Sequence, residues 1–425
     1  MWRPDDFLRR FMTFRILLVP FGSEGDVNPL FRFADGLVAR GHEVVFLLSP
    51  HYGPLAERRG FPWHPVGTEE NFRRFIQNPD LWDAQRGPRT VMQGMLASLP
   101  SYREAFKQIG TRFDLVVTSS FALAAASLAE AARIPRLTLH LQPICLRSTF
   151  DCPVFVPELA WLSRAPRWLK KAFFALVDWM FWNKIGRPLN AFRKELGLPP
   201  FGRFYGDAIN GAHGVAALFP DWFAAPQPEW PANLRQFGFP VDPPSDSLPA
   251  DLEHFLASGE PPVVWTHGSA NLFVEDFQAC ALRVSWELGL RAVLVSLKPP
   301  TVPLPGQVFH CPHVRFEDLF PRCRAVVHHG GIGTTAKCIA AGLPQLIIPR
   351  AHDQPDNANR IVRLGLGDTL RYRQIASPEV SRRLQKLLES PSVAERCREF
   401  QKRMTSSDPI PSLCDWAEEI ARSAR

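Results

Sequence analysis

Short apolar runs alternate with longer helical stretches along this chain, and that alternation limits the possible fold more than any other feature. The runs FRILLVP (14–20) and HEVVFLL (42–48) are almost wholly apolar, which is typical of strands buried on both faces. The stretch between them carries helix signals, with Asn28 as N-cap, Pro29 as first helical residue and Gly41 after the last turn. Strand, helix and strand in this order predict a parallel sheet with right-handed crossovers.

The alternation continues, stops and then begins again. FDLVVTS (113–119) and PRLTLHL extend the first series, until residues 155–196 interrupt it with a helical stretch rich in Phe and Trp. After GVAALFP (214–220), the proline-dense segment PVDPPSDSLP (240–249) predicts an exposed linker. A second series, from residue 261, contains PPVVWTHGS, RAVLVSL, CRAVVHH and PQLIIP. We therefore predict an α/β protein with two Rossmann-like, doubly wound domains that face each other across a ligand-binding cleft.

The chain has 425 residues, enough for two such domains with separate cores. The predicted division is a flexible extension at 1–12, an N-terminal domain at 13–240, a linker at 241–250, a C-terminal domain at 251–408, and a helix at 409–425 that packs back on the N-terminal domain.

Composition and charge exclude several classes of protein. The formal net charge of +7 favours anionic partners such as nucleotides or lipid headgroups, but Lys and Arg form no block and no base-reading motif occurs, so a nucleic-acid partner is not predicted. Eight Cys occur singly, which indicates reduced thiols in a cytosolic protein. No secretory signal and no apolar run long enough to span a membrane is present.

A cluster of Cys and His residues (311–329) raises the question of a metal site. Its spacing fits no common zinc site, and Cys323 precedes an apparent buried strand, so no metal is predicted.

The motif HHGGIGTT (328–335) lies where a buried strand ends and a helix begins. Its glycines allow a sharp turn that brings backbone N–H groups close to a ligand, and Thr334 or Thr335 can cap a helix whose amino end favours a diphosphate. The motif lacks the GK[ST] of a P-loop and the GxGxxG of dinucleotide-binding proteins, so no nicotinamide or flavin cofactor is predicted. A plain strand-to-helix turn is the alternative interpretation.

A polar cluster follows one helix and one strand later, in RAHDQPDNANR. Asp353, Gln354 and Asn357 are predicted to lie at the same carboxyl edge of the sheet, where a carboxylate and an amide can bind sugar hydroxyls. For Asn357, helix capping is an equal alternative.

With these motifs, the chain from Phe14 to about Gly367 resembles the nucleotide-sugar-dependent glycosyltransferases of the GT-B fold, in the UDP-glycosyltransferase family. HHGGIGTT, GLPQLIIP and DQPDNA match the donor-binding motif of that family. GSEGDVNPLF and ALFPDWFAAPQPEWPANLRQFGFP resemble most closely the bacterial rhamnosyltransferases of rhamnolipid synthesis. The resemblance implies that the N-terminal domain binds the acceptor and the C-terminal domain binds the nucleotide-sugar donor.

The resemblance also implies donor contacts. His329 matches the histidine that touches the donor diphosphate, with His328 as the alternative if the register shifts by one. The phosphate-binding turn is assigned to Gly331, Gly333 and Thr334.

Three further donor contacts follow from the same comparison. Ser269 matches a serine facing the β-phosphate, and Asp353 with Gln354 matches the pair that holds the sugar hydroxyls. His313 and the backbone of Val314 are the candidates for contact with the base. No metal and no cofactor beyond the nucleotide-sugar co-substrate is expected.

The first loop carries the predicted catalytic base. Members of the family commonly have a histidine just before V-N-P, and the matching residue here is Asp26. Ser119 stands where such enzymes place a carboxylate that orients the histidine. The resemblance implies that Asp26 takes the acceptor proton in an inverting transfer of a hexose of rhamnose or glucose type. A turn or helix-cap role is the alternative.

Acceptor contacts are predicted from His140, Gln142 and Trp179. The aromatic stretch 155–185, with its basic neighbours, fits a lipid acceptor of 3-hydroxyacyl type and peripheral contact with the inner face of a membrane. Helices that close an apolar core are the plain alternative for this stretch, and an aromatic or polyketide natural product is the alternative acceptor.

Two alternatives to a transferase belong to other functional classes. One is a nucleotide-sugar epimerase or hydrolase, and the other is an idle partner protein that binds the donor.

Overall fold

The computed structural model describes residues 12–245, 247–268 and 274–423 of the chain. Nearly all of the extension predicted at 1–12, and Ser269, lie outside these ranges. The described residues contain two parallel sheets, one in each half of the chain, so that the predicted fold class is confirmed. We call the seven-stranded sheet with its helices the first lobe, and the six-stranded sheet with its helices the second lobe.

In the first sheet the strands run in the spatial order β3-β2-β1-β4-β5-β6-β7. Their bounds are β1 (Arg15–Val19), β2 (Glu43–Leu48), β3 (Trp63–Pro65), β4 (Leu115–Ser119), β5 (Arg136–His140), β6 (Gly214–Ala217) and β7 (Leu234–Gln236). The chain moves outward from β1 to β3 and then returns to the other side of β1 as β4. The carboxyl ends of β1 and β4 therefore form a switch point, where ligands of such sheets bind.

In the second sheet the order is β10-β9-β8-β11-β12-β13. Its strands are β8 (Val263–Thr266), β9 (Ala292–Val295), β10 (Val308–Cys311), β11 (Ala325–His328), β12 (Gln345–Ile347) and β13 (Gly367–Thr369). All neighbouring strands pair in parallel, and β8 and β11 form the switch point.

Helices cover both sheets. They are α1 (Glu24–Ala39), α2 (Gly53–Arg58), α3 (Glu69–Ile76), α4 (Gly87–Ala97), α5 (Leu99–Ile109), α6 (Leu123–Ala131), α7 (Arg167–Glu195), α8 (Ala250–Ala257), α9 (Glu275–Glu287), α10 (Phe316–Leu319), α11 (Ile332–Ala340), α12 (Gln354–Leu364), α13 (Glu379–Leu388), α14 (Pro391–Thr405) and α15 (Ile410–Ser423). Short 3₁₀ helices cover Pro50–Tyr52, Pro79–Trp82, Pro143–Cys145, Pro157–Arg164, Phe320–Arg322 and Tyr372–Gln374, and a π-helical turn covers Phe204–Ile209. Among the described helices, none combines the length and the apolar character that crossing a membrane requires.

The first helix starts earlier than the sequence predicts. We expected Asn28 as its N-cap, but α1 begins at Glu24 with Ser23 as N-cap, and Pro29 lies inside it. Oδ2 of Asp26 accepts the backbone N–H of Ser23 at 2.8 Å, and the backbone N–H of Asp26 donates to the carbonyl oxygen of Ser23 at 2.9 Å, which closes the start of the helix as in a capping box. These bonds stabilise an extra turn, and Pro29 lies in the second turn, where it has no N–H to donate to the carbonyl oxygen of Gly25.

Helix α15 packs on the first lobe, against α1 and the start of β6. A Cβ on Gly36 of α1 would lie 2.4 Å from Cγ2 of Ile410, and a Cβ on Gly214 would lie 2.5 Å from Cδ1 of Ile420, so both glycines are needed for this close packing. The guanidinium of Arg40 forms ion pairs with the carboxylates of α15 at 2.6 and 2.9 Å. The helix thereby completes the apolar core of the first lobe.

A buried ionic network joins the two lobes. Arg360 of α12, only 3% exposed, places its guanidinium 2.8 Å from Asp151 of the first lobe and 2.8 Å from Asp356 of its own helix. Asp356 also accepts the backbone N–H of Val154 at 3.0 Å, and Arg363 contacts Asp151 at 2.8 Å. We call these four charged residues, Asp151, Asp356, Arg360 and Arg363, the interlobe ion cluster. It fixes α12, whose first turn carries part of the site, against the first lobe.

Candidate functional site

The amino ends of two helices meet between the lobes. Helix α1 begins after β1, and α11 begins after β11. The two helices pack together at these ends, where a Cβ on Gly333 would lie 3.9 Å from Cα of Gly25. Each end carries N–H groups with no partner inside the helix, and the helix dipole makes both ends electropositive. The geometry therefore provides one anion-binding region that both lobes share.

Asp26 is held in a defined orientation on the first of these ends. Its Oδ2 accepts the backbone N–H of Ser23 at 2.8 Å and the hydroxyl of Ser23 at 3.1 Å. Burial raises the pKa of this carboxyl group, and the bonds from Ser23 oppose part of the rise. Gly22 has φ +134°, and a Cβ there would lie 2.2 Å from the Asp26 carboxylate, so the loop leaves room for no other residue. The hydroxyl of Ser119 lies 3.5 Å from the carbonyl oxygen of Phe21 in the same loop.

Asp353 lies close to Asp26, on the second lobe. Burial, with the negative charge of Asp26 as the next cause, raises the pKa of Asp353 to about 7. Asn357 donates to Oδ2 of Asp353 at 2.7 Å and to the carbonyl oxygen of Gly330 at 2.9 Å, while the backbone N–H of Ile332 also stabilises the ionised carboxylate. Asn357 thus joins Asp353 to the glycine-rich turn.

The glycine-rich turn starts a helix, as predicted, but two residues earlier than expected. Helix α11 begins at Ile332 with Gly331 as N-cap, and neither threonine serves as the cap. Thr335 instead donates its hydroxyl to the carbonyl oxygen of Gly331 at 3.0 Å. A Cβ on Gly331 would lie 2.5 Å from Nε2 of His329, so glycine is required there. Thr334 is buried in the first turn, where N–H groups point out of the helix end.

The two histidines of the motif have different surroundings. His328 is fully buried, its Nε2 lies 3.0 Å from Oε1 of Gln345, and its Nδ1 accepts the N–H of Gly330 at 3.1 Å. Both nitrogens are therefore taken, which corrects the alternative in which His328 contacts a diphosphate. His329 is half-buried beside Gly268 and Gly331, and within the described ranges its buried Nδ1 has no hydrogen-bond partner. Burial lowers the pKa of His329 to about 4, so the ring is neutral near pH 7.

His267 directly follows β8 and lies beside His329, but it was not identified as a site residue from the sequence. The ring is 2% exposed and stacks on Phe277 at 4.7 Å between centroids, with the ring of His329 at 6.0 Å. Both of its nitrogens are buried without a hydrogen-bond partner in the described part of the chain. The only sequence signal was its position, two residues before Ser269, which the family resemblance had singled out. Ser269 itself lies outside the described residues.

Two predicted acceptor contacts are not supported by their positions. His140 is fully buried, with Nδ1 2.8 Å from the hydroxyl of Ser120 and Nε2 2.8 Å from Oδ1 of Asn210, so no atom remains for an acceptor. Trp179 is 64% exposed on α7, so its ring can enclose little of an acceptor. Both predictions are therefore corrected. Gln142, just past the carboxyl end of β5, is half-buried and stays a candidate.

The remaining donor residues lie around the same region. Nε2 of His313 lies 3.7 Å from the carboxylate of Glu24 at the start of α1, and pairing with this carboxylate raises the pKa of His313. The side chain of Val314 packs in an apolar cluster of the second lobe, which leaves only its backbone for a ligand. Oε1 of Gln354 accepts the N–H groups of Arg350 and Ala351 at 2.8 and 3.2 Å, so that oxygen braces its own loop and is not open to a sugar hydroxyl.

The arrangement defines its possible chemistry. A carboxylate of raised pKa can take a proton from a hydroxyl group, and an electropositive helix end with a neutral imidazole can stabilise an anionic leaving group. Among the described residues, no group of three or more His, Cys, Asp or Glu side chains is placed to hold a metal ion.

Comparison with known proteins relates this geometry to enzymes. The profile of the family described as "Erythromycin biosynthesis protein CIII-like, C-terminal domain" matches residues 292–419. The O-mycaminosyltylonolide 6-deoxyallosyltransferase of Streptomyces fradiae is 30% identical to this chain over 425 residues, covering 95% of this chain and 98% of the relative.

Solved structures show the same fold. The glycotransferase of kitacinnamycin has a TM-score of 0.71 and 20% identity, covering 96% of this chain and 100% of its own. The spinosyn rhamnosyltransferase SpnG, complexed with thymidine diphosphate, has a TM-score of 0.68 and 18% identity, covering 95% of this chain and 100% of its own. At this level of identity the likeness establishes the architecture of two lobes and nothing finer.

Proposed function

The chain is a glycosyltransferase of the erythromycin CIII-like, GT-B family, and on that premise we propose that it transfers a hexose from a nucleoside diphosphate to a hydroxyl group of a hydrophobic acceptor. One observation carries the proposal. The amino ends of α1 and α11 meet between the lobes, and they bring Asp26 of one lobe beside Asp353 and the glycine-rich turn of the other.

The donor diphosphate would lie against the amino end of α11. The N–H groups of Gly333 and Thr334 point out of this end, and His329 stands beside it with a neutral ring able to donate one hydrogen bond. Asp353, whose pKa is raised to about 7, would accept from the sugar hydroxyls. The complex of a related enzyme with thymidine diphosphate supports a nucleoside diphosphate as the donor group. The choice between uracil and thymine stays a question for experiment.

The proposed reaction proceeds with inversion at C1 of the sugar. The acceptor oxygen forms a bond to C1, its proton moves to the Asp26 carboxylate, and the bond between C1 and the diphosphate oxygen breaks. The raised pKa of Asp26 improves its match to a proton that becomes acidic late in the transfer. In this proposal the helix end and His329 stabilise the departing diphosphate, and no metal ion takes part.

We infer that the acceptor is a polyketide or aromatic natural product. The Streptomyces relative is named for transfer of 6-deoxyallose to O-mycaminosyltylonolide, and the spinosyn enzyme is named as a rhamnosyltransferase. Gln142, at the carboxyl end of β5, stays the candidate for contact with this acceptor.

A hydroxylated lipid of 3-hydroxyacyl type is the second candidate acceptor, and with it the enzyme would act at the face of a membrane. The observation that favours it is the set of exposed aromatic side chains on α7. The likeness to rhamnolipid rhamnosyltransferases is a prediction from sequence motifs, and this candidate depends on it.

The test of the function is a donor panel followed by product analysis. Thermal shift would compare uridine and thymidine diphosphate sugars, and mass spectrometry would then detect products with macrolactone, phenolic and 3-hydroxyacyl acceptors. Donor consumption that needs an acceptor and yields a glycoside supports the transferase. Consumption at the same rate without any acceptor would identify a hydrolase or an epimerase instead.

His329→Ala is expected to weaken the affinity for the donor about 10- to 100-fold. A hydrogen bond to a charged group contributes about 1.5–3 kcal/mol, and the alanine variant loses it. Isothermal titration calorimetry with a non-transferable donor analogue measures the change. His254, an exposed histidine of α8, provides the control variant His254→Ala, which should bind like the wild type. Equal affinity in both variants would remove His329 from the donor site.

The titration of Asp353 should respond to Asp26. Because the charge of Asp26 helps to raise the pKa of Asp353 to about 7, Asp26→Asn is expected to lower that pKa. Carboxyl ¹³C NMR of protein labelled in aspartate measures the shift, with Asp353→Asn to assign the signal. An unchanged pKa would mean that the two carboxylates do not face each other across the cleft.

A further inference from the structure

Helix α7 carries an apolar outer surface that the proposed reaction does not use. Its exposed side chains are Trp168, Leu176, Trp179 and Met180, which are 70%, 53%, 64% and 45% exposed. Trp161, in the preceding 3₁₀ helix, is 56% exposed. Scattered surface hydrophobics are ordinary, but five large side chains along one helical segment form a patch that usually marks an interaction site.

The spacing of these residues places them on one side of the helix. Positions 168, 172, 175, 176, 179, 180, 183, 184 and 187 are all exposed, and each has another of the set three or four residues away, which is the spacing of one helix face. The opposite side is anchored, because Ile185, Leu189 and Phe192 are buried in the core of the first lobe. The anchored side thus holds the helix in place and leaves the outer side exposed to solvent. Packing within the lobe does not account for the aromatic residues on that outer side.

Four cations border this apolar surface. Arg164, Lys171, Lys184 and Arg187 are exposed, and the described residues supply no carboxylate within 4 Å of any of them. Four other charges of the helix are paired: Arg167 with Glu229, Arg193 with Glu130, Asp178 with Arg147, and Glu195 with Arg103. We call the apolar residues together with these four cations the α7 outer face.

A groove lies at the carboxyl half of the same helix. It has a volume of about 550 Å³ and is lined by an aromatic ring, two exposed cations and an exposed side-chain amide, namely Trp182, Arg187, Lys194 and Asn183. A cationic guanidinium, an ammonium group and amide donors are the groups that bind a phosphate oxygen. The groove therefore adds a place for a single anionic headgroup beside the apolar surface.

We propose that the α7 outer face docks the protein on an anionic lipid surface. Tryptophan side chains at the level of the headgroups, with Lys and Arg at their margins, are the composition of helices that lie in a membrane interface. Unneutralised cations favour an anionic leaflet over a neutral one. The surface belongs to α7 and not to the cleft, so that this proposal holds whichever hydrophobic acceptor the enzyme uses.

The experiment is vesicle co-sedimentation of the full chain. Wild-type protein should bind vesicles of 70% phosphatidylcholine and 30% phosphatidylglycerol, and bind vesicles of pure phosphatidylcholine at least about tenfold more weakly. Trp161→Ser with Trp168→Ser, and separately Lys171→Gln with Lys184→Gln and Arg187→Gln, should each lower binding about tenfold or more. Raising the salt concentration should weaken binding of the wild type and of the tryptophan variant, and change the charge variant least.

The matched control is Trp286→Ser, which removes a 73% exposed tryptophan of α9 in the other lobe. It should bind as the wild type does. No binding by the wild type, or equal losses in control and test variants, would overturn the proposal. The proposal would also fail if the wild type formed a dimer in the absence of vesicles and the Trp161 and Trp168 substitutions made it monomeric. The α7 outer face would then join two copies of the chain. Glycosyl transfer to a soluble acceptor should be unchanged in the tryptophan variant, so that failure of the transferase assignment and failure of docking are distinguishable.

Discussion

Asp26→Asn is expected to lower kcat by about 10²-fold or more and to leave donor affinity nearly unchanged. The change removes the proton acceptor but keeps the shape of the side chain. An amide oxygen can still accept the N–H of Ser23, so α1 should keep its capped start at the same residue. Single-turnover kinetics with saturating donor would measure the chemical step separately from binding.

The pH profile provides a second measurement of the same prediction. A general base works only when ionised, and burial raises the pKa of Asp26, so activity should fall as the pH drops through a value above the ordinary 3.8. The control variant is Asp35→Asn. It removes another carboxylate of α1, whose partner is the guanidinium of Arg59 at 2.7 Å. Asp35→Asn should keep both the rate and the acidic limb. Near-normal turnover in Asp26→Asn would exclude Asp26 as the base.

Arg360→Met is expected to destabilise the protein by about 3–5 kcal/mol. Arg360 is 3% exposed and carries the positive charge that two carboxylates share, so its removal leaves Asp151 and Asp356 facing each other with too little compensation. Methionine has a similar length and fills most of the space, which limits the part of the loss that comes from a cavity. Urea unfolding at pH 7, followed by tryptophan fluorescence, measures the loss.

Arg363→Met is the matched control for that prediction. Arg363 contacts the same Asp151 at 2.8 Å, but its side chain is 57% exposed, and such pairs contribute about 0–1 kcal/mol. A large difference between the two variants is therefore expected. Similar small losses would mean that the interlobe ion cluster is not what fixes α12 against the first lobe.

The two-lobed fold could be predicted because its central strands are buried on both faces. Such strands are nearly continuous apolar runs, and β1, β2 and β9 are all of this kind. The four edge strands β3, β7, β10 and β13 were missed. They have only three or four residues each, and β3, β7 and β13 contain no fully buried position, so neither their length nor their pattern separates them from loops.

The start of α1 was misplaced because two signals competed in one short segment. Asn28 followed by Pro29 is a strong local sign of a helix start, and it led to the wrong boundary. The pattern Ser23-x-x-Asp26 was also present and is the sign of a capping box. The bonds to Ser23 decide the outcome, and they place Asp26 inside the first turn, close to the opposite lobe.

The candidate site could be located from the sequence, but the direction of individual side chains could not. His328 and His329 are adjacent where β11 ends, so their side chains leave the backbone on opposite sides. One turns to Gln345 in the interior and the other to the glycine-rich turn, a choice that depends on strand register. His140 was misassigned for the same reason, since its partners Ser120 and Asn210 lie far away in sequence.

The position of α15 has a consequence for how the protein forms during synthesis. Its residues Leu413, Trp416 and Ile420 complete the core of the first lobe, although the second lobe is made in between. The first lobe therefore cannot bury that surface while it emerges from the ribosome, and it must wait until α15 has been made. A nascent chain stalled before Ile410 should expose an apolar groove along α1, and chaperones that recognise such grooves should bind it until α15 has emerged.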